Sequence, residues 1–524
     1  MIAPRSSSAV EPILEIQSSF DGGMRDRDHP SMLAKNQYAL GYDIEVREAG
    51  LAKTRRGRTK KVDSPGANPQ GSIYFEPTPN NGRIFQVNDG LFWEWLNSGG
   101  VYTRVGTTVL TNTSSPVSFS ILNGILYILS GTDDNCWSYD GTTLTDEGNT
   151  NTDPPRGDLA CSQAGRVCVS GVPSTPAITN ARDYVFFSDI YDGHTYDRAS
   201  NNKRTPTDGS EPVTAISTYR DEKILAFTRN SSHIYDITGA TVSNFTRVTL
   251  DPKIGCIAPR SVVVVGEDAF FLSADRQLRT IKRTVFNVAY GVSIPVSYLV
   301  PNLMERINPL YASKCAGVYF DNYYLLSAPL DTAQKNSHVI VFDLLHQVET
   351  PAGLVPICVG AWRNIAANDW VITNFNGKQQ LYYIDAVDGA TRLMFDGDSD
   401  DGGTITVDLD LRAANWGTDR HDKTLHSGEI QLIDSFGTLT LSYAKDDNVF
   451  VTLGSFSVGT GSTLNLPFDL PANLSPGGVL KYVPHSYYRR GRSRAWQIRI
   501  SHTGGQINIK QFALGAWIEG ATTR

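Results

Sequence analysis

The chain has 524 residues, 40% of them hydrophobic and 19% charged, with 46 Gly, 26 Pro and a formal net charge of −7. That length exceeds what one hydrophobic core serves, so two or three domains are expected. The acidic balance argues against a dedicated nucleic-acid binder, which would carry a basic face. No run of 18 apolar residues offers a membrane-spanning helix.

The first residues lack the apolar core of a signal peptide, because Arg5, Glu11 and Glu15 interrupt them, so synthesis in a cytoplasm is expected. Cys136, Cys161, Cys168, Cys256, Cys315 and Cys358 show no CxxC and no zinc-ligand spacing, and are read as small buried hydrophobes in a reducing compartment.

Residues 1–66 read as an extended arm with one hairpin at most. Between Arg47 and Lys61 there are seven basic residues against one acid, Glu48. An unpaired basic extension usually finds a partner surface. The run from Asp63 to Pro69 has the turn composition of a boundary.

From Asn81 to Gly377 one pattern recurs: a turn dipeptide, a short apolar strand, more turn, then an aromatic-containing strand ending near an Asp. The turns are Asn81-Gly82, Asn123-Gly124, Gly165-Arg166, Asp221-Glu222, Glu267-Asp268, Asp321-Asn322 and Asn376-Gly377. Separations of about 42 to 56 residues are the period of a four-stranded propeller blade, not of a helical solenoid. Ile125–Leu129, Ala269–Leu272 and Tyr323–Leu326 are apolar at successive positions, so both faces of each strand are expected to be covered. The Asp of Tyr139-Asp140, Tyr235-Asp236, Phe342-Asp343 and Ile384-Asp385 is expected to bond the backbone of the following turn. Residues 67–397 are therefore predicted to be a β-propeller of six or seven blades.

Beyond Asp396 the texture changes. Thr404–Leu411, Gly428–Ile433, Leu439–Tyr443, Ala495–Ile500 and Gln506–Ile509 alternate apolar with polar residues, the mark of half-buried antiparallel strands. Residues 398–524 are predicted to be a β-sandwich-like domain, forming a platform with the arm. The only helix expected is a turn or two near Leu299–Ile307.

Few constellations carry chemistry. Asp396, Asp398 and Asp400 are spaced like the start of a calcium loop, but the Gly and Glu that an EF-hand needs are replaced by Asp401 and Val407. A solvated interdomain loop is the favoured reading over a metal site. Arg489, Arg490, Arg492 and Arg494 follow Tyr487-Tyr488 and are read as a loop that docks on an acidic neighbour; nucleic-acid binding through phosphates and stacked bases, and a plain solvated loop, are the rivals. There is no HExxH, G-x-S-x-G or Walker-type loop. Ser188-Asp189 and Ser273-Ala274-Asp275 approach a glycosidase Asp-box without completing it. His194, His233 and His421 show no ligand spacing. No catalytic residue and no cofactor is expected.

Phe20-Asp21-Gly22-Gly23, followed by Gly50-Leu51 and Arg55-Arg56-Gly57, resembles the opening of the tail nozzle or tail-hub proteins of short-tailed bacteriophages. Pro212–Ile216, Gly255–Val262 and the run from Arg489 to Trp496 are similar to phrases of the same class. The resemblance implies a structural virion protein of the tail, assembled in the host cytoplasm. It implies a ring, commonly of six subunits, below the portal and adaptor, through which DNA is retained and then conducted without specific binding. Tail fibres would be further partners. On this reading Phe20, Gly22, Gly23, Arg55, Arg56 and Arg58 in the arm, with Arg489, Arg490, Arg492 and Arg494, are interface candidates. Rival readings are a minor tail or baseplate propeller binding fibres or a receptor, a propeller carbohydrate-binding protein or glycosidase, and a non-viral scaffold.

Overall fold

A computed structural model describes residues 12–518 except 49, 98, 108, 132, 177, 206–210, 290–293, 352, 376, 419, 447, 459–462, 466–470, 474–478 and 483–491. The described chain is almost entirely antiparallel β-structure.

Seven meanders follow one another. The first runs Pro69–Phe75, Arg83–Asn88, Leu91–Trp95 and Thr103–Arg104; the second Ser118–Leu122, Ile125–Leu129, Trp137–Tyr139 and Leu144–Asp146. The third is Leu159–Gln163, Arg166–Ser170, Tyr184–Asp189 and Asp192–Tyr196, with Asn202–Arg204 added; the fourth is Ala215–Tyr219, Lys223–Phe227, Ser232–Asp236 and Thr246–Asp251. The fifth has three described strands, Val263–Val265, Asp268–Leu272 and Leu278–Thr280. The sixth is Ala316–Phe320, Tyr323–Ala328, His338–Thr350 and Gly353–Arg363. The seventh is Ala367–Phe375, Lys378–Asp385 and Thr391–Met394, and its fourth strand is Arg58–Val62 from the arm.

Each turn read from the sequence falls between the first and second strand of one meander. Positive φ at Asn123 and Gly124, and again at Asp321 and Asn322, is the backbone that a two-residue hairpin requires. The second strands are buried on both faces, and alternate side chains enter different cores. Leu126 and Ile128 pack with Phe85 and Val87 of the first meander, whereas Tyr127 and Leu129 pack with Val167 and Val169 of the third. Further clusters join the third to the fourth, the fourth to the fifth, and the fifth through the sixth to the seventh. A last one, with Ile84, Trp95, Val371 and Tyr382, joins the seventh back to the first. Each fully buried Val, Leu or Phe contributes about 1.5–3 kcal/mol, so these shared clusters bind sheet to sheet.

The sixth meander continues sideways. Gly353–Arg363 pairs with Gly23–Met24, which runs parallel to Gln37–Tyr42; Val407–Leu411, Trp496–Thr503, Gly437–Lys445 and Val451–Val458 follow in order. A second sheet combines Ile13–Gln17, Ile44–Glu45, Ala52–Thr54, Asn508–Ile518, Lys423–Leu432 and Val479–Tyr482. Leu441 and Ile498 of the one meet Ile430, Phe512 and Leu514 of the other around a small void, inside one continuous core. In Trp496–Thr503 the buried residues are Trp496, Ile498, Ile500 and His502, the period-two pattern that the sequence displays.

The sequence reading missed one helix, Ile281–Ala289, besides finding Pro301–Glu305 where a short helical stretch was expected. The reason is local. Thr284 and Val285 are β-branched and Phe286 is aromatic, so propensity is poor. The helix starts because the Asp268 carboxylate, 14 positions upstream, accepts a hydrogen bond from the Lys282 N–H (2.9 Å).

Candidate functional site: a charged seam along the N-terminal arm

The arm is built into the protein. Phe20 is fully buried, its ring 6.4 Å from that of Tyr38. A Cβ on Gly22 would lie 2.7 Å from the Asn36 side chain. Gly23 has φ +72°, and a Cβ there would lie 2.8 Å from the Cys358 carbonyl oxygen. Within this chain the Phe20 aromatic serves the core, and Gly22 and Gly23 allow close backbone approach.

The basic run fares similarly, residue by residue. Arg55 is 1% exposed, and the Asp400 carboxylate accepts two hydrogen bonds from it (2.9 and 2.6 Å) while Asp43 accepts a third (2.8 Å). Burial alone would lower the Arg55 pKa; the carboxylates of Asp400 and Asp43 outweigh it and hold the group firmly cationic. Asp43 is shared with Arg363 (2.6 Å), which also reaches Asp408 (2.6 Å). Arg58 lies between Asp385 (3.6 Å) and Asp400 (3.7 Å) and donates to the Tyr383 hydroxyl. Arg47 binds Asp343 (3.0 Å) with its guanidinium over the Tyr323 ring. Arg56, 40% exposed, contacts Glu45 (3.4 Å) and Asp321 (3.2 Å), and alone of the three arm arginines proposed as interface residues it keeps a solvent-facing side chain. Within this chain the fully buried Arg55 acts as an internal clamp.

The aspartates once weighed as a metal loop are the other half of this seam. Asp396 pairs with Lys61 (2.7 Å), which lowers its pKa; Asp400 is taken by Arg55, and Asp401 accepts from Arg392 (2.8 Å). Asp398 is exposed. Arg392 also holds Asp388 (2.7 Å) and Asp385 (3.1 Å). Two of the three carboxylates of the proposed set, Asp396 and Asp400, are thus directed at cations of the arm. Among the described residues no group of three or more His, Cys, Asp or Glu side chains is arranged to hold a metal ion.

Gly57 explains the local spelling. Its N–H donates to the Gly397 carbonyl (2.7 Å), its own carbonyl accepts from Asp396 N–H (3.1 Å), and a Cβ would lie 2.1 Å from the Ser399 oxygen. Only glycine lets the arm lie this close to the 396–401 loop.

Of the second basic run, Arg489 and Arg490 lie outside the described residues. Arg492 and Arg494 are exposed, flanking buried Ser493, whose backbone exchanges hydrogen bonds with Lys423 (2.8 and 3.3 Å). Asp446 accepts a hydrogen bond from the Arg494 backbone N–H (3.0 Å).

The thiols are enclosed. All six cysteines are buried, and burial pushes the Cys136 and Cys315 thiols far up, away from nucleophilic character. His233 is buried against the Ser231 and Thr249 hydroxyls (2.8 and 3.2 Å), and His194 pairs with Glu147 (2.8 Å). No described helix is long and apolar enough to cross a membrane. One residue escaped attention: Arg260 donates to the carbonyls of Gln70, Val117 (3.2 Å) and Asn368 (3.1 Å), tying together the edges of three different meanders. Its only sequence signal is a position in a turn, Pro259-Arg260-Ser261, where exposure is the default.

Repeated small sheets joined face to face, with carboxylates paired to arginines and lysines along the arm, define an all-β protein. Residues 22–297 match the protein family described as "Bacteriophage P22 Gp10, beta-propeller". The chain belongs to that family and is a bacteriophage structural protein of the β-propeller type. No curated protein matches the chain. Among solved structures it is similar to YCF48 bound to D1 peptide (10% identity, 66% of this chain and 94% of that one, TM-score 0.34). It is also similar to PorZ of Porphyromonas gingivalis (12% identity, 78% and 48%, TM-score 0.34) and to an ancestral GH74 enzyme (10% identity, 68% and 51%, TM-score 0.39). The chain spans about half the length of the latter two proteins.

Proposed function

We propose that this protein is a tail nozzle or hub of a short-tailed phage: a ring, commonly of six copies, below the portal and adaptor, that retains DNA and conducts it during ejection. The observation that carries the reading is membership, over residues 22–297, of a phage propeller family. We further propose that the seven meanders are seven blades, the last completed by Arg58–Val62; the cluster returning from the seventh to the first supports closure. The remaining arm and residues 398–524 form a sandwich-like platform, supported by the core their two sheets share. The domains are then 1–66, less the blade strand, with 398–524, and 67–397 with it.

The adaptor or another portal-proximal protein and tail fibres are the proposed partners, with double-stranded DNA in passage only. A net charge of −7 suits a channel through which a polyanion slides, since a basic lining would grip phosphates and release them only at high salt. We assign no enzymatic activity; the paired carboxylates of the seam are spent on arginines and lysines. The test is electron microscopy of the purified full-length protein. Six-fold rings with a central hole are expected; monomers or trimers at every concentration would overturn the nozzle reading in favour of a minor tail or baseplate propeller. Turnover of fluorogenic sugars would overturn the structural one.

A further inference from the structure

A cavity of about 220 Å³ opens where the first strands of several meanders begin. Its wall is made by residues just ahead of those strands: Asn68 before the first, Arg260 before the fifth, Lys314 before the sixth and Asn368 at the start of the seventh, with Lys335 and Asn336 from the sixth. The site thus exists only because separate sheets converge.

Its chemistry is one-sided. Arg260, Lys314 and Lys335 are cationic, and among the described residues that line it there is no Asp or Glu. Arg260 is held in position by three carbonyls, so its charge is anchored yet not neutralised by a carboxylate there. Lys314 gives one hydrogen bond to the Gln334 carbonyl (3.0 Å) and its ammonium lies over the Tyr311 ring (4.8 Å), so neither contact neutralises its charge. Asn336 is 2% exposed, and its Nδ2 donates to the carbonyls of Lys314 (2.9 Å) and Ala367 (2.6 Å). Those two bonds fix the amide, and its Oδ1 is left buried without a donor. A buried acceptor of this kind is a cost the fold carries unless something supplies an N–H or O–H.

We propose that this cavity receives an acidic peptide segment of a partner protein. A side-chain carboxylate sits against Lys314 and Lys335, and a neighbouring backbone N–H is donated to Asn336 Oδ1. Both halves of the site are then used, the cationic wall and the orphan acceptor. Inorganic phosphate, which keeps an O–H at neutral pH, meets both needs at a single centre and is therefore the competitor in the test. Single-stranded nucleic acid needs stacking aromatics, which the described lining lacks, and a duplex is too wide to enter. The inference depends on the wall of the cavity and is independent of the proposed ring.

The test uses full-length protein and a fluorescein-labelled hexapeptide of alternating Asp and Gly, compared with the same peptide carrying Asn for Asp, read by fluorescence anisotropy. The acidic peptide is expected to bind at least about tenfold more tightly, the equivalent of one well-placed ion pair, and to weaken with salt. Lys314→Glu with Lys335→Glu should reduce its binding by about tenfold or more while the thermal midpoint is retained. Lys335→Glu alone, at an exposed side chain, keeps the test alive if the double variant misfolds, and should give a smaller loss in the same direction. Equal affinity for the two peptides, binding unchanged in a folded Lys335→Glu variant, or displacement by inorganic phosphate or a short single-stranded oligonucleotide at lower concentration than by unlabelled acidic peptide would each overturn the proposal.

Discussion

At the scale of the residue, two buried groups set measurable behaviour. Arg55 is enclosed between Asp43 and Asp400. Asp43 keeps Arg363 if Arg55 is lost, whereas Asp400 keeps only Arg58 at 3.7 Å. Breaking a buried pair from one side costs about 3–5 kcal/mol because a charge is left uncompensated. Arg55→Met should fall near the lower end, read as a drop in unfolding free energy by urea titration; a change within about 0.5 kcal/mol, the range of an ordinary surface substitution, would refute the clamp. His233 behaves differently. Burial, with a smaller contribution from Arg247, pushes its pKa down to about 4. The unfolded imidazole takes up its proton near pH 6.5 and the folded one does not until about 4. Stability present at neutral pH is therefore lost as pH falls through that window. Asp26 and Asp158, both raised to about 6 by burial, act with the opposite sign: the folded state protonates first and gains as pH falls from about 6 toward 4. Comparison of His233→Gln with the parent isolates the histidine. The variant should lose less stability between pH 6.5 and 4.5, measured by urea unfolding, and parallel curves would contradict the assignment.

At the scale of the element, the aromatic-Asp ending is a turn device. Asp140 accepts from the Thr142 and Thr143 N–H groups (2.8 and 2.7 Å), Asp236 from Thr238 (3.1 Å), Asp343 from Leu345 (3.0 Å) and Asp385 from Val387 (2.8 Å). These bonds span two or three residues, which is why they were legible in the linear chain. The strand Arg58–Val62 was not, because its partner Thr391–Met394 lies more than 300 positions away and its own residues, Arg-Thr-Lys-Lys-Val, read as a solvated basic run. Gly57, at its start, tests the attachment. Gly57→Ala would drive a Cβ into the Ser399 backbone, which has no side-chain freedom with which to yield. We expect faster proteolysis within residues 50–62 and a lower thermal midpoint, with the far-UV spectrum of the remaining sheets retained; an unchanged cleavage pattern would show that the arm is held by something else.

At the scale of the whole molecule, the arm and the meanders are one mechanical body. Cutting away residues 1–60 would remove Arg55 and three of the five residues of Arg58–Val62 together with any surface the arm offers to a partner. Loss of ring assembly in such a truncation would therefore report a broken fold as readily as a lost interface. The ring test is better made on the intact chain, with salt as the variable. If exposed arginines such as Arg56, Arg492 and Arg494 hold a neighbouring copy, those contacts would weaken as ionic strength rises, whereas the buried Arg55 pairs are screened far less. Rings that dissociate with salt while the protein stays folded would fit assembly through the exposed set.

The amino-acid order alone determined the meanders, their hairpins and the alternating strands near the C-terminus, because each depends on contacts between residues a few positions apart: turn dipeptides, a following Asp, period-two burial. Only the tertiary structure decided that most of the basic arm is paired inside the protein, that Asp396 and Asp400 face Lys61 and Arg55, and that Arg260, Lys314 and Lys335 share a cavity. Charge read along a chain carries no information about its counter-charge hundreds of residues distant, and pairing of that range is settled by how the sheets close on one another.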